Sequence, residues 1–128
     1  MYVKIKISIG ELVDKITILQ IKKEMIVDDS KLKKVENELN HLQSALTTIS
    51  QKNAKLDELM TQLKEINTKL WKIEDDIRLL EKEERFDNEF IELARSVYIT
   101  NDKRFEIKNA INFEFSSEIA EVKSYEKY

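Results

Sequence analysis

From Leu56 to Leu80 the chain reads LDELMTQLKEINTKLWKIEDDIRLL. Leu56, Leu59, Leu63, Ile66, Leu70, Ile73, Ile77 and Leu80 recur in alternating steps of three and four. That spacing lays one apolar stripe along an α-helix, the pattern of a heptad seam. Upstream, Leu32, Val35, Leu39, Leu42, Leu46 and Ile49 repeat the pattern. The link Ser50-Gln51-Lys52-Asn53 is short, so the two helices are expected to fold back on each other as an antiparallel hairpin.

Further upstream, Ser8 stands three residues before Glu11, a capping box that satisfies orphan amides at a helix start. The helix it opens is expected to run to about Met25. Its apolar residues (Ile9, Leu12, Val13, Ile16, Ile18, Leu19, Ile21) lie on most sides, so it should be the most buried helix. Asp28-Asp29-Ser30 ends it and caps the next. Residues 2–7 alternate, with Val3, Ile5 and Ile7 on one side and Lys4 and Lys6 on the other. They predict a short strand, partnered by the C-terminal segment near Glu118–Tyr125 or by a second chain. Downstream, Arg85-Phe86-Asp87 makes a turn. A last helix then runs from Asp87 or Asn88 to about Phe115, either unbroken or with a pause near Thr100-Asn101.

The bulk numbers narrow the function classes. A chain of 128 residues suits one domain, and residues 1–128 read as a single helical one. The net charge is −3 with acids and bases interspersed, which gives no basic nucleic-acid footprint. There is no cysteine, so no disulfide, thiolate metal site or thiol nucleophile, and a reducing cytoplasmic setting is expected. One glycine and no proline exclude Gly-rich phosphate loops and disfavour a sheet-rich fold. The N-terminus does not read as a signal peptide, and no apolar run approaches the ~20 residues that span a bilayer.

Two helices then turn polar where a core face should continue. On the last helix, Phe90, Leu93, Ala94 and Val97 define an apolar face. Continuing that face meets Asn101, Arg104, Lys108 and Asn112. On the preceding helix Asn67, Trp71, Glu74 and Arg78 share one side, with Asp75 a turn away. Folding the two about Phe86 sets Asn101 opposite Trp71, Tyr98 opposite Glu74 and Arg95 opposite Ile77. The first helix can add Asp14, Lys15 and Lys22. The ligand-binding candidates are therefore Trp71, Arg78, Arg95, Tyr98, Asn101, Asp102, Arg104, Lys108, Asn112, Lys15 and Lys22. Glu74 and Asp75 are the acid/base candidates should there be catalysis. Four cations (Arg78, Arg95, Arg104, Lys108) against Glu74, Asp75 and Asp102 leave a positive surplus, which suits a small anion. Trp71 offers a flat face, and Asn and Tyr can meet hydroxyls. The competing reading is a self-satisfied ion-pair network that sets helix register.

No metal site is expected. Glu74-Asp75-Asp76 are neighbours on a helix and point about 100° apart. His41 lies opposite the Leu32–Leu39–Leu46 seam and should be solvated.

The segments Ile9-Gly10-Glu11-Leu12-Val13-Asp14-Lys15-Ile16-Thr17-Ile18-Leu19, Leu70-Trp71-Lys72-Ile73-Glu74-Asp75-Asp76-Ile77-Arg78 and Phe90–Tyr98 followed by Thr100-Asn101-Asp102-Lys103-Arg104 form one set. With Lys108, Ile111-Asn112 and Glu121-Val122-Lys123-Ser124-Tyr125, the chain resembles a short helical family described as a domain of unknown function (six-one-six-five). The resemblance covers nearly the whole chain. It implies an occurrence in bacteria and some viruses, near sugar-transfer genes in bacteria, and brings no activity with it. Small helical enzymes such as chorismate mutases, which hold a dianion among Arg and Lys, offer an analogy of architecture only.

The expected fold is thus all-α: an antiparallel helical bundle or long helical hairpin of about four helices, with a short N-terminal β segment. The expected function is binding of a small anionic metabolite of the sugar phosphate or nucleotide sugar class, with catalysis undecided and no cofactor. The alternative is a non-enzymatic assembly protein that dimerises through the coiled-coil-like seam. A homodimer is expected, with no nucleic-acid or membrane partner.

Overall fold

The computed structural model describes residues 1–49, 53–117 and 121–128. Among these it is all-helical: α1 (Ile9–Met25), α2 (Asp29–Ile49), α3 (Ala54–Lys82) and α4 (Asn88–Glu114). Each start has a side-chain cap. Ser8 Oγ accepts from the Glu11 amide at 3.1 Å. Asp28 accepts from Lys31, Asn53 from Lys55 and Leu56, and Asp87 from Phe90. The reciprocal arm of the Ser8–Glu11 capping box is not made; the Glu11 carboxylate faces Lys108 instead, 2.7 Å away.

α1 is the organising helix. It packs on α2, on α3 and on α4, and α3 packs most extensively on α4. Leu12, Val13, Ile16 and Leu19 of α1 join Val35, Leu39 and Leu46 of α2, Leu56, Leu59 and Leu63 of α3 and Ile111 of α4 in one core. Val13, Ile16, Leu63 and Ile111 are fully enclosed, and each such side chain contributes about 1.5–3 kcal/mol. The expected close packing of α2 on α3 is not seen among the described residues. The leucines of both helices reach this core, but among the described residues no α2–α3 pair of Cα atoms comes within 8 Å. Both helices pack closely on α1 instead. The expected turn at residues 50–52 lies outside the described residues. Of the seam residues, Leu39, Leu46, Leu56, Leu59 and Leu63 are buried within the chain, whereas Ile49 is exposed.

One further expectation is corrected, and one open alternative is decided. The N-terminal β segment does not form: no strand occurs among the described residues. Tyr2, Val3 and Ile5 stand exposed, and only Ile7 packs against the core. Alternation of apolar and basic residues marks a strand only when a partner edge is available. The proposed partner is engaged elsewhere, since residues 121–128 run along α4; residues 118–120 of that segment lie outside the described ones. Nor does α4 pause at Thr100-Asn101. Thr100 is fully buried, and packing overrides its modest helix propensity.

One position requires glycine. A Cβ on Gly10 would sit inside van der Waals contact of the Lys108 carbonyl oxygen and 2.8 Å from Asn112 Oδ1. The bare Cα lets α1 and α4 approach closely, and the Gly10 amide donates to Asn112 Oδ1 at 2.7 Å. Among the described residues no helix is long and apolar enough to cross a membrane.

Candidate functional site

The closeness of α1 to α4 places a carboxylate where the sequence puts Asp14 among apolar neighbours. Asp14 is wholly buried. Arg104 grips it with two nitrogens, Nε donating to Oδ1 at 2.9 Å and a terminal nitrogen donating to Oδ2. Asn67 Nδ2 of α3 donates to the same Oδ1 at 2.9 Å and to Thr17 Oγ1 at 3.0 Å. Thr17 in turn donates to the Asp14 carbonyl. One buried charge thus ties α1, α3 and α4 together. Three donors meet it, two of them from the paired guanidinium, the condition for tolerating burial. The Asp14 bond raises the Arg104 guanidinium further above its ordinary value.

Lys108 lies one turn on and is itself buried. Its Nζ is 2.7 Å from Glu11, 2.9 Å from Glu121 and 3.9 Å from Asp14. Burial pushes this ammonium down, but hydrogen bonds to Glu11 and Glu121 and the charge of Asp14 outweigh it, so the group titrates above the usual lysine range. Two cations are therefore met by three carboxylates. The expected positive surplus is absent, because α1 and the C-terminal segment supply acids that a construction from α3 and α4 alone leaves out.

Beside this closed network lies an open groove of about 560 Å³. Its lining includes Trp71, Glu74, Asp75 and Arg78 of α3, Asn101 and Arg104 of α4, and Ile18 and Ile21 of α1. Asn101 and Trp71 both line this groove. Asn67 and Arg104 form the floor, already fixed by Asp14. Arg78 is on the rim, its side chain 79% exposed, with Nε donating to Glu74 at 3.2 Å. Its terminal nitrogens make no bond among the described residues.

The other candidates lie elsewhere. Arg95 is exposed and donates to Glu92; bonds to Tyr98 and Glu92 raise its guanidinium above the ordinary value. Tyr98, Asp102 and Phe105 form a separate strip of α4, one step around the helix from Asn101, Arg104 and Lys108. Residues 121–128 cover that strip. Tyr128 stacks edge-on against Tyr98 with ring centroids 5.4 Å apart. Its hydroxyl donates to Asp102 at 2.5 Å. Lys123 lies over the Phe105 ring and 3.9 Å from Asp102. Lys15 is on the surface with Glu11. Lys22 does not line the groove, and Asn112 serves Gly10. His41 is exposed, and among the described residues no three His, Asp or Glu side chains are grouped to hold a metal.

Sequence reasoning missed Glu11 and Glu121 as partners of Lys108 and gave Asp14 too small a part. Asp14 had a signal: a carboxylate between Val13 and Ile16, on a helix apolar on most sides, must be neutralised by something. Gly10, alone in a first helical turn, pointed to the close approach. Glu121 had none.

Comparison with known proteins returns a family match over residues 3–128, to a family model described as "Family of unknown function (DUF6165)". No curated protein and no solved structure matches.

Proposed function

Starting from a chain that belongs to this family of unknown function, we infer that it binds a small hydroxylated metabolite carrying an anionic group, of the sugar phosphate or nucleotide sugar class. One observation carries the reading. The groove brings Trp71 together with two carboxylates, an amide and a rim guanidinium, beside Asn67 and Arg104, which are hydrogen-bonded to Asp14. A sugar ring stacks its C–H face on an indole. Its hydroxyls donate to Glu74, Asp75 and the Asn101 carbonyl oxygen, and the anionic group pairs with the terminal nitrogens of Arg78. The volume lies within the roughly 300–1,000 Å³ of ordinary ligand pockets. Arg104 shapes the floor and does not neutralise the ligand, since its charge is committed to Asp14. Should the groove also catalyse, Glu74 or Asp75 would carry the proton.

Trp71 is the single tryptophan, so its fluorescence reports the groove alone. A panel of hexose phosphates, nucleotide sugars, nucleotides and neutral sugars would be screened by fluorescence and by melting shift. At a hundred times Kd a binder stabilises by about 2.7 kcal/mol. At least one anionic sugar should quench or shift Trp71 saturably, and Arg78→Met should abolish the effect while keeping the fold. Responses that are equal for neutral sugars, or unchanged in Arg78→Met, would remove the anionic part of the reading.

A second reading has its own observation. Leu79, Phe86 and Ile91 stand exposed around the α3–α4 turn, an apolar tip suited to self-association. Sedimentation equilibrium of the wild type and of Phe86→Ser tests it: a dimer that Phe86→Ser dissociates supports assembly through this tip, and a monomer in both rejects it.

A further inference from the structure

We propose that residues 121–128 are a displaceable strap, with Glu121 a built-in stand-in for a ligand carboxylate at Lys108. This rests on the reading of the groove as a ligand site and extends it to a second subsite.

Among the described residues the strap is held by few contacts: Glu121 on Lys108, Lys123 on Phe105 and near Asp102, and Tyr128 on Asp102 and Tyr98. Val122, Tyr125 and Tyr128 remain largely exposed. Little apolar area is buried, and pairs of this kind at a surface hold weakly. The contact at Lys108 differs, because there a half-exposed carboxylate reaches an ammonium whose side chain is only 8% exposed.

Under the strap is a cavity of about 30 Å³ lined by Asn101, Arg104, Phe105, Lys108, Glu121 and Lys123. It is large enough for a water. Asn101 and Arg104 line the main groove as well. The cavity and the groove are thus neighbours that share these two side chains.

Charge identifies what replaces Glu121. With the strap down, Glu11, Asp14 and Glu121 face Lys108 and Arg104. Glu11 and Asp14 are fixed on α1, so Glu121 is the member of the set that can leave. Its departure removes one carboxylate from Lys108 Nζ, and a ligand carboxylate replaces it in kind, with the same charge and the same acceptor oxygens. The subsite accordingly takes a carboxylate, such as that of a sugar acid reaching past Asn101. A tethered competitor acts at an effective concentration on the order of millimolar, so wild-type affinity for such a ligand is weakened by the strap.

The test uses the full chain, with amide NMR and glucuronate as probe, and with glucose and sodium chloride at matched ionic strength as controls. Glu121→Gln should release residues 122–128 to sharp, unfolded-like resonances. It should also bind glucuronate about tenfold or more tightly than the wild type, with shifts at Arg104 and Lys108. Glu121→Ala should behave alike. Strap resonances that do not change in either variant, or equal glucuronate affinity in variant and wild type, overturn the proposal. Failure of the groove reading looks different. Trp71 would then ignore every sugar phosphate in the wild type, while Arg104 and Lys108 still respond to glucuronate in Glu121→Gln.

Discussion

Arg104 and Asp14, 90 residues apart in sequence, meet in a two-pronged ion pair whose carboxylate is buried. The pair couples α1 to α4, and through Asn67 it also fixes α3. Arg104→Met leaves Asp14 enclosed with Asn67 and, at 3.9 Å, Lys108. Removing one partner of a buried pair costs about 3–5 kcal/mol, and Lys108 holds the expected loss near the lower figure. Asp14→Leu with Arg104→Met should recover most of it, because no charge is then stranded. Urea denaturation of the single and double variants measures both. A single variant within about 0.5 kcal/mol of wild type, the range of surface substitutions, would mean the pair does not organise the helices.

Gly10 tests the α1–α4 approach. In a solvent-exposed helix Gly→Ala stabilises by about 1 kcal/mol. Here the added methyl meets the Lys108 carbonyl and Asn112, which are backbone and a buried amide and cannot swing away. Overpacking of this kind costs about 1–3 kcal/mol, so Gly10→Ala should lower the melting temperature. A raised Tm would show that the two helices have room to separate.

Much of this was legible in the sequence where the signal is local. Ser8, the Asp28 cluster and Asp87 mark helix starts by their own side chains. The heptad steps identify the residues of the core, and the fold-back about Phe86 puts Asn101 with Trp71. What was not legible depends on long range. Whether Lys108 is surplus or satisfied turns on Glu11 and Glu121, and nothing in the α3 or α4 pattern announces either. Tyr98 and Arg95 do not line the groove, because residues a few places apart on a helix can face different neighbours. The alternation of Val3, Ile5 and Ile7 predicts a strand only if an edge exists to receive it. The polar half of α4 also proves more buried than its apolar half. α1 packs against the residues around Lys108, Ile111 and Asn112, whereas Phe90, Leu93, Ala94 and Val97 are only partly covered.

Tyr128 gives a pH signature of the strap. Donation of its hydroxyl to Asp102, with smaller contributions from burial and from the charge of Asp102, pushes it from the ordinary 10.0 up to about 12. A raised pKa in the docked state means the contact contributes fully below pH 10.0 and is lost as pH rises through about 12. Ultraviolet titration at alkaline pH should show a late phenol phase from Tyr128. Tyr128→Phe should remove that phase. Its persistence in Tyr128→Phe would assign it to another tyrosine and undo the docked position of the terminus.

The central claim is that the groove between α1, α3 and α4 is a ligand site, and the indole N–H resonance of Trp71 tests it most directly. Titrating glucose 1-phosphate into the wild type should move that resonance saturably, together with the amides of Asn101 and Arg78. Leu39 and Leu46 in the core should stay unmoved, and Arg78→Met should abolish the response. No movement up to about 10 mM, weaker than roughly −3 kcal/mol of binding, across hexose phosphates and nucleotide sugars alike, would contradict the account. The polar side chains of the groove would then serve only to hold the helices in register.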